Sequence, residues 1–169
     1  MSIADALLPE FDHEMANTRK MLERIPQEKW NWKPHPKSST TRELATHIAT
    51  TPAWMVDTIE KDSFDFAPVG GQPHHPPVFA TKEEALAEFD KGVAGARAAL
   101  AAAEDDHLMK NWALLAGGQV IFSMPRVACI RSFVMNHGVH HRGQLSVYLR
   151  LCDVAVPGMY GPSADETAM

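Results

Sequence analysis

The residues with the clearest chemical potential are His137 and His141, in the run Asn136-His137-Gly138-Val139-His140-His141-Arg142-Gly143-Gln144. Four apart on one helical face, their Cβ atoms lie roughly 5–6 Å from each other, so a single metal ion can use both imidazoles. His47, inward between Leu44, Ile48 and Thr51 on a different predicted helix, is the third ligand of choice. Three neutral imidazoles leave a divalent cation with an open position, the arrangement of catalytic sites, whereas a structural zinc site is usually closed by four ligands. Coordination there deprotonates a bound thiol and can lower the pKa of bound water to about 7, so the site suits supply of either a thiolate or a hydroxide. Imidazoles fit zinc, nickel, copper or iron, and the affinity order alone does not identify the ion; zinc is the first choice, with nickel or another transition metal as alternatives. Gln144 lies one turn beyond His141, where it can hydrogen-bond a ligand or a bound water. His140 borders the inward stripe and is a candidate for lining a pocket; Arg142 is expected to point mostly outward. His13, His35 and His107 lie in polar or terminal surroundings, and His74 and His75 in a Pro-rich segment, where exposure is the expectation.

These side chains need a helical scaffold, and the sequence supplies its signals. Pro125 to Leu151 reads as one long helix capped by Ser123, with Val127, Ile130, Val134, His137, His141, Gln144, Tyr148 and Leu151 inward on a heptad grid. Ser2 with Asp5 opens a first helix over residues 2–24, whose Ala6, Leu7, Phe11, Met15, Thr18 and Leu22 recur at helical spacing. Thr40 with Glu43 forms a capping box for a second helix, and Pro52 should kink or restart it one turn past His47. Thr81 with Glu84 opens a third, Ala-rich helix to about Glu104. Residues 62–80, with four prolines and a Gly pair, are expected to be a structureless connection of the kind that often forms a lid or binding loop. Trp112–Leu115 and Gln119–Phe122 flank Ala116-Gly117-Gly118, which suits a short β-hairpin. Four helical segments with one long connection imply an all-α chain, a four-helix bundle with that hairpin before its last helix.

A chain of 169 residues with 45% hydrophobic content is one ordinary globular domain, 1–169, with an irregular tail from about residue 153. The net charge of −5, without a Lys/Arg run, argues against nucleic acid or an anionic membrane as partner. No apolar run approaches the roughly 20 residues of a membrane span, and the first residues lack the pattern of a signal peptide, so a cytoplasmic location is expected. Cys129 and Cys152 fall on one predicted helix about 35 Å apart and should both be free thiols.

The motif NHGVHHRGQL, with TRELATHIA upstream and VPGMYGPSADE after the helix, resembles the DinB-like family of the DinB/YfiT superfamily, and the likeness extends over nearly the whole chain. This family is unrelated to the translesion polymerase that shares its name. The resemblance implies a four-helix bundle holding one divalent metal through three histidines, which on this chain are His47, His137 and His141; His140 has no ligand counterpart. It also implies a homodimer through outer helix faces. Better-understood relatives use the metal to activate a low-molecular-weight thiol. The leading expectation is therefore a metal-dependent enzyme of the thiol S-transferase type acting on a small molecule, with Tyr160 and the 62–80 segment shaping the mouth of the site. Two alternatives stand beside it. One is a metal-dependent hydrolase, which needs a general acid or base that the inward faces do not offer. The other is a non-catalytic metal-binding or stress-response protein, in which the ion mainly joins two helices.

Overall fold

A computed structural model describes residues 1–166 of the chain. Its first helix, α1 (Ile3–Glu23), begins where Ser2 and Asp5 satisfy each other's backbone amides, and it buries Leu7, Phe11, Met15, Thr18 and Leu22. Ala4 takes the inward place expected of Ala6. The connector that follows buries Trp30, whose indole N–H donates to the carbonyl of Phe79 at 3.2 Å and ties down the end of the long Pro-rich segment. Helix α2 (Thr41–Thr50) starts on the Thr40/Glu43 capping box. Pro52 then stands at the head of a new helix, α3 (Ala53–Glu60), because its ring cannot supply the amide that continuation of α2 requires. After a long connection come α4 (Lys82–Ala102) and the short α5 (Asp105–Leu108). The core is contiguous: α1 packs on α4 and α7 (His137–Leu151), α2 packs on the same two helices, and α3 packs on α4.

The fold is mostly helical with a small three-stranded sheet, which corrects the expectation of an all-α chain carrying only a hairpin. Strands β2 (Asn111–Ala116) and β3 (Gln119–Pro125) form the anticipated hairpin. Its turn places Gly117 at φ 60° and Gly118 at φ 76°, the two consecutive left-handed positions that a tight hairpin demands and that side chains resist. Strand β1 (Ser63–Asp65) lies inside the segment expected to be structureless and pairs in parallel with β2, Phe64 opposite Leu114. Polar side chains hold it there. The Asp65 carboxylate accepts the amides of Ala67, Gly117 and Gly118 at 3.0, 3.1 and 2.7 Å, capping the hairpin turn. Arg126, 2% exposed, donates to the carbonyls of Lys61 and Asn111 at 3.0 and 2.9 Å and to the Asp62 carboxylate at 2.8 Å, stitching the starts of β1 and β2 to the last helix.

That last helix is not uniform. It runs from α6 (Arg126–Cys129) through a π-helical segment, Ile130–Asn136, into α7. A π turn closes i→i+5 and so accommodates one more residue than an α turn, which advances every later position around the axis. The inward residues beyond it are accordingly Gly138, Arg142, Leu145 and Leu149, each one place past the heptad expectation of His137, His141, Gln144 and Tyr148. Leu151, expected inward, is 58% exposed. Arg142, expected outward, is instead 4% exposed and held by Glu14, Thr18 and Tyr160. Both cysteines are free, and no helix among the described residues is long and apolar enough to cross a membrane. Positions 167–169 of the expected single domain lie outside the described residues.

Candidate metal centre

The one-residue shift decides where the histidines of α7 sit. On the heptad grid they would point into the middle of the core; after the π turn they occupy its rim, half-buried and able to meet both protein and solvent. His47 comes from the facing α2, in the last turn before the Pro52 break, also half-buried. Its backbone is fixed from below, since its carbonyl accepts the amide and the hydroxyl of Thr51 at 3.1 and 2.7 Å.

The three rings turn the same atom toward one point. Nε2 of His137 lies 2.7 Å from Nε2 of His47 and 2.9 Å from Nε2 of His141. The trio could hold a metal ion, and among the described residues no other group of three His, Cys, Asp or Glu side chains converges in this way. The donor chemistry fits a cation. Nδ1 of His141 donates to Oε1 of Gln144 at 2.7 Å, so in the neutral ring the proton sits on Nδ1 and Nε2 presents a bare lone pair. Lone pairs at such separations repel unless a proton or a cation lies among them. A second proton on a ring is disfavoured, because burial, followed by the neighbouring rings of His141 and His137, pushes His47 down to about 4, whereas a neutral His47 or His137 carries one N–H that it can turn to a neighbour's Nε2 when no ion is present. Burial likewise lowers His137 and His141, the latter opposed in part by its bond to Gln144. Three neutral imidazoles that share a focus are a donor set that suits a divalent transition metal such as zinc, copper, iron or nickel.

Of the other residues singled out in the sequence, Gln144, expected inward, is exposed, and its Oε1 accepts from Nδ1 of His141 at 2.7 Å. His140 is exposed, its ring 4.8 Å from that of His141, and is not part of the converging trio. Tyr160 does not reach the site. Its hydroxyl donates to the Glu14 carboxylate at 2.8 Å and also meets Arg142, because the tail folds over α1 rather than over the histidines. The 62–80 segment does contribute: Pro76, Pro77 and Val78 line a groove that includes His47, while Phe64, Phe66 and His74 line a separate apolar cavity. Missing from the sequence reading was Trp54, whose ring lies 5.4 Å from His47 and 5.5 Å from His137 and also walls that cavity. The sequence offered only its spacing, seven residues after His47 and across the break at Pro52.

A model of the DinB family matches residues 1–168. The chain belongs to the DinB family. Its fold is shared with a DinB-like protein of Bacillus cereus ATCC 10987, at 24% identity and a TM-score of 0.72 over 94% of this chain and 98% of that one. A DinB-like protein of Bacillus subtilis, YjoA, is similar at 18% identity and a TM-score of 0.69, covering 91% of this chain and 97% of its own. Among curated proteins, the uncharacterized protein YrdA of Bacillus subtilis strain 168 is 47% identical over 36 residues, which span 22% of that relative's length and 21% of this chain.

The lowered histidines of this DinB-family chain give a definite pH dependence. In the unfolded chain these side chains titrate near 6.5, whereas in the fold His47 stays neutral down to about 4. The unfolded state therefore binds more protons between those values, and stability present above 6.5 is lost as pH falls toward 4. After screening by solvent at these half-exposed rings the loss is about 1–2 kcal/mol. Thermal melts of chelator-treated protein should show Tm falling by a few degrees across that interval, and His47→Ala should flatten the dependence.

Proposed function

We propose that this protein is a metal-dependent enzyme in which His47, His137 and His141 hold one divalent cation, zinc in the first instance, and in which a low-molecular-weight thiol is activated for transfer to a small molecule. The observation that carries this reading is the convergence of three Nε2 atoms at the rim of the core, beside an apolar cavity, with no fourth protein ligand in the group among the described residues. A cation held by three ligands supplies Lewis acidity at an open position and lowers the pKa of a thiol or water that reaches it. The protein's own contribution is positional. Gln144 fixes the tautomer of His141, the neutral rings of His47 and His137 stay available as donors at neutral pH, and Trp54 packs its ring against both, shielding that side from water.

Hydrolysis is less well supported, because it asks for a general acid or base. The buried carboxylate on an inward face, Glu14, has its oxygens engaged by Arg142 and Tyr160. Asp57, beside Trp54's end of the cavity, is paired with Lys61 at 2.5 Å. A non-catalytic role has one observation in its favour: His47 and the two histidines of α7 join separate helices, so an ion there would act as a clip.

The deciding experiment replaces the native ion with cobalt and records the visible spectrum while a low-molecular-weight thiol is added. A new thiolate-to-cobalt charge-transfer band, absent from His137→Ala, is the expected result. A cobalt spectrum that no common thiol cofactor perturbs would remove the thiol from the proposal.

A further inference from the structure

Between the sheet and the last helix lies a cavity of about 270 Å³. Its floor is one face of the sheet. Phe64 is paired with Leu114 and Leu114 with Phe122, so the three side chains form a single cross-strand row on one side of β1, β2 and β3. The opposite wall is the π-helical segment, which contributes Phe133 and Val134 one turn before His137. Trp54 closes the end next to the metal centre, its ring shared between the cavity wall and the faces of His47 and His137.

The polar groups of this cavity are few, and all but one are partnered or uncharged, the exception being the buried indole N–H of Trp112, which has no hydrogen-bond partner among the described residues. The Thr58 hydroxyl donates to the carbonyl of Trp54 at 2.8 Å, and Asp57 is neutralised by Lys61. Burial pushes the Cys129 thiol up to about 11, leaving that wall uncharged at neutral pH. His74 is exposed and lies edge-on to Phe64, with ring centroids 5.4 Å apart. Water gains few partners in such a space, and an apolar cavity of about 150 Å³ is already large enough for benzene. A volume just below the roughly 300 Å³ at which drug-sized pockets begin suits one substituted ring rather than an extended ligand.

We infer that this cavity holds the neutral body of the small-molecule substrate, a single aromatic ring, and that the ring's substituent reaches past Trp54 to the three histidines. The second half of this inference rests on the reading of those histidines as a metal centre; the first half does not.

Fluorobenzene titrated into the full-length protein and followed by fluorine NMR provides the test. Saturable binding is expected, of about equal affinity in His137→Ala, since the cavity needs no metal. Binding should weaken by at least about tenfold in Leu114→Trp, which fills the cavity, and in Phe133→Asp. Phe133 is 37% exposed, so the latter substitution tests the wall without threatening the core. In chelator-treated His137→Ala, kept free of metal, 4-fluorobenzoate should bind at least about tenfold more weakly than fluorobenzene. In zinc-loaded wild type, 4-fluorobenzyl mercaptan should bind at least about tenfold more tightly than fluorobenzene, an advantage lost in His137→Ala. Non-saturable fluorobenzene binding, or binding untouched by both wall variants, would overturn the cavity assignment even if the protein proves to hold metal. Saturable binding without the mercaptan's advantage in a zinc-loaded protein would sever the cavity from the histidines. A protein that takes up no metal yet binds the ring would leave the cavity standing and defeat the metal reading alone.

Discussion

Replacing Arg142 with methionine is expected to destabilise the fold by about 3–5 kcal/mol, the range found when one partner of a buried ion pair is removed. The guanidinium is 4% exposed and donates to the Glu14 carboxylate at 2.5 Å, to the Glu14 carbonyl at 2.9 Å and to the Thr18 hydroxyl at 3.1 Å. Methionine fills much of the same volume but leaves the carboxylate buried with only the Tyr160 hydroxyl as donor. For a chain of this length the loss corresponds to a fall in Tm of roughly 6–20 °C, readable by calorimetry. The distinctive part lies in the double variant. Glu14→Leu with Arg142→Met removes the stranded charge as well as its partner and should recover most of the loss, because the pair's mutual attraction mainly offsets its own desolvation. Equal destabilisation in the single and double variants would show that the hydrogen bonds to the Glu14 backbone and Thr18, not the charge pair, secure the tail and α7 to α1.

This buried arginine also marks the limit of what the chain discloses before it is folded. The three converging histidines were legible because their placement depends on local spacing: His137 and His141 keep their i,i+4 relation whatever surrounds them, and His47 precedes a proline break that the ring of Pro52 enforces by itself. The capping boxes at Ser2 and Thr40, and the two glycines of the hairpin turn, are equally local. What escaped was non-local or cumulative. The π-helical segment carries no proline or glycine to announce it, yet it displaces every later inward position by one and so exchanges Arg142 with His141 at the core. Strand β1 is too short to show a period, and its place beside β2 depends on Asp65 and Arg126 meeting backbone groups remote in sequence. The apolar cavity inherits both causes, since one wall is the π segment and the other is a sheet that the sequence showed only in part.

Stripping metal from the protein should produce the other large effect, and in a form that separates ligands from scaffold. Untagged wild type purified without a nickel column should carry about one equivalent of divalent metal, while His47→Ala, His137→Ala and His141→Ala should carry little, because two imidazoles and water hold the ion far more weakly than three. An ion that binds only the native state adds about 4 kcal/mol when its free concentration is a thousand times Kd, which is roughly 8–16 °C in Tm for a chain of this size. A chelator should remove that increment from wild type and leave the Tm of His137→Ala unmoved. Gln144→Leu is the subtler probe. It keeps all three ligands but frees the Nδ1 proton of His141 from its acceptor, and with it the ring's fixed tautomer. Loss of such an outer partner typically weakens metal affinity by about 10–100-fold, so Gln144→Leu should bind zinc with intact stoichiometry and a raised Kd. Wild type that neither retains nor takes up zinc, with chelator-insensitive melting, would reduce the three histidines to polar residues at the rim of the core.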